Sequence, residues 1–335
     1  MTRALDPRQA FAFVRRAVEA ALADLPADAP VLAAVSGGAD SLALAQALAA
    51  LPRPAAAGII DHGLQEGSAQ VAQQAAQECA RLGLDPVVVE RVDVAERGVG
   101  PEAAARQARR AALEAMASRL GASAILLAHT RDDQAETVLL RLARGSGARS
   151  LAAMAPITGH WRRPLLDLPR DVVRASAANL VTWEDPHNVD PAFARTRVRH
   201  VALPALTEAL GPDVVAGLAR SARLLRDDAE ALDQAAHEAF VAASDAEGAL
   251  DVTALSALPR ALRTRVIRQG ALAAGCPASA LTAEHIDRLE ALVSDWRGQG
   301  PVDLPGGIAG ERRCGRLALR RVPPVAERRR RDAKE

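Results

Sequence analysis

The sequence predicts an α/β fold, a doubly wound parallel sheet followed by a smaller C-terminal α+β domain. Three observations carry this. Between residues 31 and 144, short apolar runs alternate with helical periodicities. The runs are continuously apolar, as strands covered on both faces must be. Beyond residue 150 the alternation stops, and helical stretches lead to a Pro-Gly-Gly turn flanked by short apolar segments.

Residues 1–25 have the spacing of an amphipathic helix, ended by Pro26 and Pro30. Val31–Val35 reads as a buried strand, Gly37 and Gly38 as a turn, and 40–51 as a helix. A second strand at 56–60 ends at Asp61 and His62, and 69–82 is helical. The third strand, 86–94, is rich in β-branched Val. A helix at 102–120, a strand at 123–128 and a helix at 131–144, stopped by Gly145 and Gly147, complete the alternating part. Residues 156–170 read as loop-rich, 170–180 as helix, 183–191 as a polar loop, and 192–210 and 213–243 as helices. Residues 250–322 form the smaller domain, with helices to Asp295 and short strands about the turn Leu304-Pro305-Gly306-Gly307. The expected division is a sheet domain at 1–210, a helical linker at 211–248, a C-terminal domain at 249–322 and a charged tail at 323–335.

Composition removes several function classes. The net charge of +1 creates no global basic field, so any nucleic-acid contact must come from local patches. Lys334 is the only lysine, which excludes a Walker-type P-loop and a catalytic lysine within the body of the chain. Cys79, Cys276 and Cys314 are scattered, with no zinc or redox spacing. With 2% aromatic residues, a stacking platform for unstructured single strands is not expected. No apolar run reaches membrane-spanning length and the N-terminus lacks a signal-peptide core, so the expectation is a cytoplasmic protein without membrane contact.

The most specific local feature is the strand followed by Ser36-Gly37-Gly38-Ala39-Asp40-Ser41 and a helix. Paired glycines let main-chain N–H groups approach a phosphate, and the helix adds its positive end. Ser36 and Ser41 can donate hydroxyl hydrogen bonds to phosphate oxygens, whereas Asp40 suits a bridging Mg²⁺. His129, Asp132, Asp133 and Glu136 form a second cluster after the fourth strand. Asp133 and Glu136 are three apart and share a helix face. A helix start with Thr130 as cap accounts for Asp132 and Asp133, but for neither His129 nor Glu136. Clustered carboxylates suit Mg²⁺, recognition of a cationic amine, or proton acceptance.

The SGGADS turn resembles the PP-loop of the N-type ATP pyrophosphatases, a Rossmann-like superfamily that cleaves ATP between its α and β phosphates. Further segments, in order, resemble the tRNA(Ile)-lysidine synthetases: Asp61-His62-Gly63-Leu64 with Ser68; Ala128-His129-Thr130-Arg131-Asp132-Asp133-Gln134-Ala135-Glu136-Thr137; and Arg141 through Gly147. Arg163-Pro164-Leu165-Leu166, Trp183 through Asn188, and Phe193 through His200 with Leu203-Pro204 continue the likeness, as does the Leu304–Gly307 turn. Thr130 stands where the family usually has a second His, and Arg110 where it often has Tyr. The chain resembles the short form of the family.

The resemblance implies a ligase that joins free L-lysine to C2 of the wobble cytidine in the CAU anticodon of isoleucine tRNA. The route passes through an adenylated tRNA, uses ATP and Mg²⁺, and changes codon reading from AUG to AUA. It implies a PP-loop catalytic domain at 1–210 and tRNA contacts from 249–322. Catalytic roles fall on Asp40, His129, Asp133, Glu136 and Arg109, the last matching a family arginine near the phosphates. Ser36–Ser41 and His62 bind the nucleotide, with Asp40 and Asp133 as Mg²⁺ ligands. Asp132, Arg106, Arg163, Arg195, Arg197 and Arg199 contact substrate. Two other readings stay open: another tRNA-modifying member such as a thiolase, and a non-catalytic ATP- or RNA-binding module.

Overall fold

The computed structural model describes residues 6–61, 63, 67–92, 101–145 and 147–322. The chain divides into two compact units, Met1–Arg226 and Asp227–Glu335.

The first unit is built on a six-stranded sheet: β1 (Val31–Val35), β2 (Ala55–Asp61), β3 (Val87–Arg91), β4 (Ala124–Leu126), β5 (Ile157–Thr158) and β6 (Trp161–Arg162). The order is β3-β2-β1-β4-β6-β5, parallel throughout except for β5, which runs antiparallel to β6. Five helices matter for the site: α1 (Pro7–Ala20), α2 (Ala39–Ala49), α3 (Ser68–Arg81), α4 (Pro101–Arg119) and α5 (Arg131–Leu142). The short α6 (Ala148–Leu151) and then α7 (Arg170–Ser176) follow.

Strand alternation sorts the core. Val31, Ala33 and Val35 pack with Val14 and Val18 of α1, Leu44 and Leu48 of α2 and Val173 of α7. Leu32, between them in sequence, joins Leu113 and Met116 of α4 on the opposite face. Gly58 is required there, because a Cβ on it would lie 2.6 Å from Met116 Sδ. Both faces are thus covered, which is why the strands read as continuously apolar.

The chain winds from β1 outward to β3, then returns to place β4 on the other side of β1. That reversal opens a crevice beyond the carboxyl ends of β1 and β4, the position where open parallel sheets bind ligands.

Two stretches carry detail beyond the expectation. Within the loop-rich 156–170, β5 and β6 extend the sheet beside β4. Each spans two residues, too short to show a period. The expected helix 192–210 is helical from Ala194 to Leu210, in three contiguous pieces: α8 (Ala194–Arg197), a π-helical turn at Val198–Ala202 and α9 (Leu203–Leu210). Pro204 has no N–H for the carbonyl four residues earlier, and the ladder widens just before it.

α10 (Val214–Ala243) runs through the division between the units. The second unit has a four-stranded antiparallel sheet, order β7-β10-β9-β8, from β7 (Leu250–Asp251), β8 (Val302–Leu304), β9 (Ile308–Arg313) and β10 (Arg316–Arg321). It packs with α11 (Val252–Ala257), α12 (Arg260–Ala273) and α13 (Ala283–Ser294) through Leu250, Leu255, Ile267, Leu289 and Leu317. Gly306 and Gly307 turn β8 into β9 at φ +80° and +70°, where a side chain is strained. Among the described residues, no single helix is long and apolar enough to cross a membrane.

Candidate active site

The first wall of the crevice is the turn after β1. Gly37 takes φ +83°, and a Cβ on it would meet Ala75 of α3 at 3.4 Å. Gly38 caps α2 in extended geometry, so the first N–H groups of the helix keep no side-chain cap. Ser41 Oγ donates to the Gly38 carbonyl at 2.8 Å and accepts from the Ser36 N–H at 3.2 Å and the Ser36 hydroxyl at 3.3 Å. Ser41 therefore organises the turn from inside, while Ser36 is exposed.

Asp40, on the first turn of α2, carries a buried Oδ1 with no hydrogen-bond partner. Burial pushes its carboxyl up to about 6, and the charge of Asp133 adds to the rise. An ionised oxygen left unpaired in this way is costly unless a cation meets it.

The second wall grows from the end of β4. Thr130 begins α5 with a capping box: Asp133 Oδ2 accepts from the Thr130 N–H at 2.8 Å and its hydroxyl at 2.9 Å. Asp133 Oδ1 receives Arg170 Nη2 at 2.8 Å and Arg199 Nη2 at 3.2 Å. Glu136, wholly buried, accepts from Arg170 at 2.9 Å, Arg195 Nε at 2.8 Å and Arg199 Nε at 2.7 Å. Two carboxylates are thus held by three guanidiniums. Burial works to raise Asp133, but Arg170, Arg195 and the Thr130 N–H hold it down at about 2. Glu136 is likewise kept below its usual value against burial, through Arg199 and Arg170. The cap is real and so is the cluster: Asp133 uses one oxygen for each.

His129 stands between the two walls in sequence, its Nδ1 buried and without a partner. Burial lowers its pKa to about 4; the Asp133 charge opposes that, and Arg163, Arg195 and Arg106 reinforce it. The imidazole is neutral at pH 7 and too weak a base to favour proton abstraction there.

The remaining expected residues fall into distinct environments. Asp132 Oδ2 accepts the Arg170 N–H at 2.8 Å. Arg163 is 9% exposed and donates to the Ala155 carbonyl at 2.7 Å. Arg106 and Arg109 lie exposed on α4, and the charge of Arg106 bears on Arg109, Arg163 and His129. Arg197 turns away, donating to the Pro191 and Ala192 carbonyls at 2.7 and 2.8 Å. His62 and the arginine run 328–331 lie outside the described residues.

Sequence reasoning missed Arg170. A cation at the first residue of a helix opposes the helix dipole, and that anomaly was the available signal. Trp183 is half-buried beside the glycine turn, its main-chain N–H donating to the Gly37 carbonyl at 2.9 Å.

Opposed shifts at Asp40 and His129 make a stability prediction. Asp40 binds its proton more tightly in the folded state, so its contribution falls as pH rises from 3.8 to about 6. His129 binds its proton less tightly when folded, so its contribution rises between about 4 and 6.5. The two offset each other in the native protein. In Asp40→Asn the His129 part stands alone, and unfolding free energy should climb by about 2 kcal/mol between pH 4.5 and 6.5. Urea titrations across that range, flat for the variant, would contradict the assignment.

A PP-loop domain family matches residues 12–206, and the TilS substrate binding domain matches 250–321. The chain is 57% identical over 319 residues to the tRNA(Ile)-lysidine synthase of Thermobifida fusca, spanning 93% of this chain and 98% of that one. It is 52% identical over 305 residues to the Streptomyces coelicolor enzyme of the same name, covering 88% and 86%. The fold is also similar to that of the U34-tRNA thiolase NcsA from Methanococcus maripaludis, at TM-score 0.54 and 20% identity, over 65% of this chain and 80% of that one. A glycine turn after β1, an arginine-bound acid cluster on the helix after the neighbouring strand, and matches over most of the chain converge: this chain belongs to the tRNA(Ile)-lysidine synthase family, ATP-using ligases of the PP-loop class.

Proposed function

We propose that the crevice joins free L-lysine to C2 of the wobble cytidine in the CAU anticodon of isoleucine tRNA, in two steps. The cytidine O2 attacks the α-phosphate of ATP and pyrophosphate leaves. The lysine amine then attacks C2, and AMP departs with the oxygen. The observation that carries this reading is the placement of the SGGADS turn and the Asp133/Glu136 cluster at the carboxyl ends of β1 and β4, which are paired neighbours.

In this reading the N–H groups of the turn and the start of α2 receive the departing pyrophosphate. Arg106, Arg109 and Arg163 stand on the α4 and β6 side, where they meet phosphate charge. The residues fit Mg²⁺ at Asp40, which offers an unpaired buried oxygen, while Asp133, its oxygens taken by Thr130 and by Arg170 and Arg199, adds negative charge nearby. A carboxylate together with substrate phosphates is an ordinary Mg²⁺ environment, and the ion would supply positive charge to the phosphate oxygens. Neutral His129 takes part as a hydrogen-bonding group to the nucleotide or base.

A cavity of about 510 Å³ opens beside the acid cluster, with Asp132, Glu208, Arg170 and Arg199 among apolar Leu203 and Val215. Mixed charge with an aliphatic wall suits a free amino acid with a long methylene chain. Both acids of the cluster are already held by arginines, so the ammonium exchanges with a guanidinium. Arg195, 38% exposed against 13% for Arg170, is the one placed to give way. The carboxylates then select a compact cation over neutral amino acids.

The proposed division is a catalytic domain at 1–210, a helical linker at 211–248, a tRNA-contacting domain at 249–322 and a charged tail at 323–335. A thiolase reading would need paired cysteines for a sulfur carrier or iron–sulfur cluster. The three cysteines are far apart in sequence, with Cys79 and Cys276 buried and Cys314 exposed. Incubation with ATP, lysine and the isoleucine tRNA should release AMP and pyrophosphate one for one with lysine incorporated. ADP and phosphate as products, or equal use of arginine or ammonia, would reverse the proposal.

A further inference from the structure

Residues 181–185 run as irregular chain past the glycine turn, and Pro186–Asn188 follow as one 3-10 turn. At the centre, Trp183 N–H donates to the Gly37 carbonyl at 2.9 Å, and the Trp183 carbonyl would lie 3.8 Å from a Cβ on Gly38. Near one end, the Val181 N–H faces the buried Glu78 carboxylate of α3, which Arg81 grips at 2.6 and 2.9 Å. At the other end, the Asn188 carbonyl meets His200 Nε2 at 3.0 Å, next to Arg199 of the acid cluster. The segment is therefore a strap, anchored on both sides and tied in the middle to a residue at φ +83°.

A residue in that left-handed conformation persists where its surroundings impose it. The direction of the Gly37–Gly38 peptide decides whether the turn's N–H groups point together at one phosphate. Gly37 has α3 packed behind it, with Ala75 and Val71 at 3.4 and 3.7 Å from its would-be Cβ, and its carbonyl is bound by the strap.

We propose that Trp183 is a positioning residue for the nucleotide: its main-chain N–H, held on the Gly37 carbonyl by the strap, fixes the turn in its phosphate-binding conformation. The indole is secondary, because the tie is made by the backbone. This rests on the reading that the turn binds ATP, and the experiment separates the two.

The probe is α,β-methylene-ATP with Mg²⁺, titrated calorimetrically into the full chain without tRNA. Trp183→Pro, which removes the N–H, should raise Kd about tenfold, the worth of one well-placed hydrogen bond. Trp183→Ala keeps the N–H and should stay within about threefold of the parent protein by the same argument. Both variants should bind isoleucine tRNA as the parent does. Unchanged affinity in Trp183→Pro overturns the proposal, and so does an equal loss in Trp183→Ala. If the parent protein fails to bind the analogue at all, the ATP reading itself falls. Hydrogen–deuterium exchange on the unaltered protein gives a check independent of the proline. Peptides covering 181–188 should exchange more slowly with the analogue bound, and no slowing counts against the strap.

Discussion

Asp40→Ala should abolish ATP-dependent turnover and at the same time stabilise the fold. The carboxylate is buried with one oxygen unpaired and shares the crevice with Asp133, and its pKa stands near 6 instead of 3.8. At pH 7.5 it is ionised in both states, and holding that charge in the folded protein costs about 1–3 kcal/mol. Alanine removes the cost, so the melting temperature should rise by several degrees. The same change deletes the oxygen best placed for the cation on the departing pyrophosphate, and kcat/KM should fall by ~10³ or more, the scale seen when a transition-state charge partner is lost. Stability gained together with activity lost is the mark of a strained functional group. Calorimetry and a pyrophosphate-release assay on one preparation decide it: near-normal release, or a lowered melting temperature, contradicts the role.

Glu136→Ala should do the reverse to stability. Its carboxylate is wholly buried and accepts from three guanidiniums within 2.9 Å. Without it, Arg170, Arg195 and Arg199 face one another with Asp133 as their remaining acid. Breaking a buried ion pair from one side costs about 3–5 kcal/mol, and the variant should melt far below the parent protein. Glu136→Gln keeps the volume and one acceptor and should lose less. On activity, lysine incorporation should fall at least as much as AMP transfer to tRNA, because the proposed amine site is built on this residue. Radiolabelled AMP and radiolabelled lysine, followed in parallel at a temperature where Glu136→Gln is folded, provide the comparison. A variant that loses adenylation yet adds lysine normally to preformed adenylate would falsify the amine assignment.

The phosphate turn was legible because its signal is local: five apolar residues, two glycines and a helix start suffice to place Ser36 through Ser41 at a strand end. His129 and the α5 acids were legible for the same reason. The pairing of Asp133 and Glu136 with Arg170, Arg195 and Arg199 was not, because 34 to 66 residues of chain separate the partners. The resemblance put Arg195 and Arg199 on the substrate but said nothing of the acids they meet. The strands Trp161–Arg162 and Ile157–Thr158 escaped because two residues have no period, and the π-turn before Pro204 escaped because a widened helix looks like a helix in composition. Substrate identity came from the ordered family motifs. The physical patterns alone reach an ATP-binding crevice with an acid cluster.

The most direct test of the whole account is the mass of one nucleoside. Isoleucine tRNA carrying the CAU anticodon is incubated with the protein, ATP, Mg²⁺ and lysine, then digested and analysed by mass spectrometry. The account predicts that the wobble cytidine gains the mass of lysine less one water, that the gain requires ATP, and that Asp40→Ala does not produce it. A wobble cytidine unchanged, or one altered by any other mass, would contradict it.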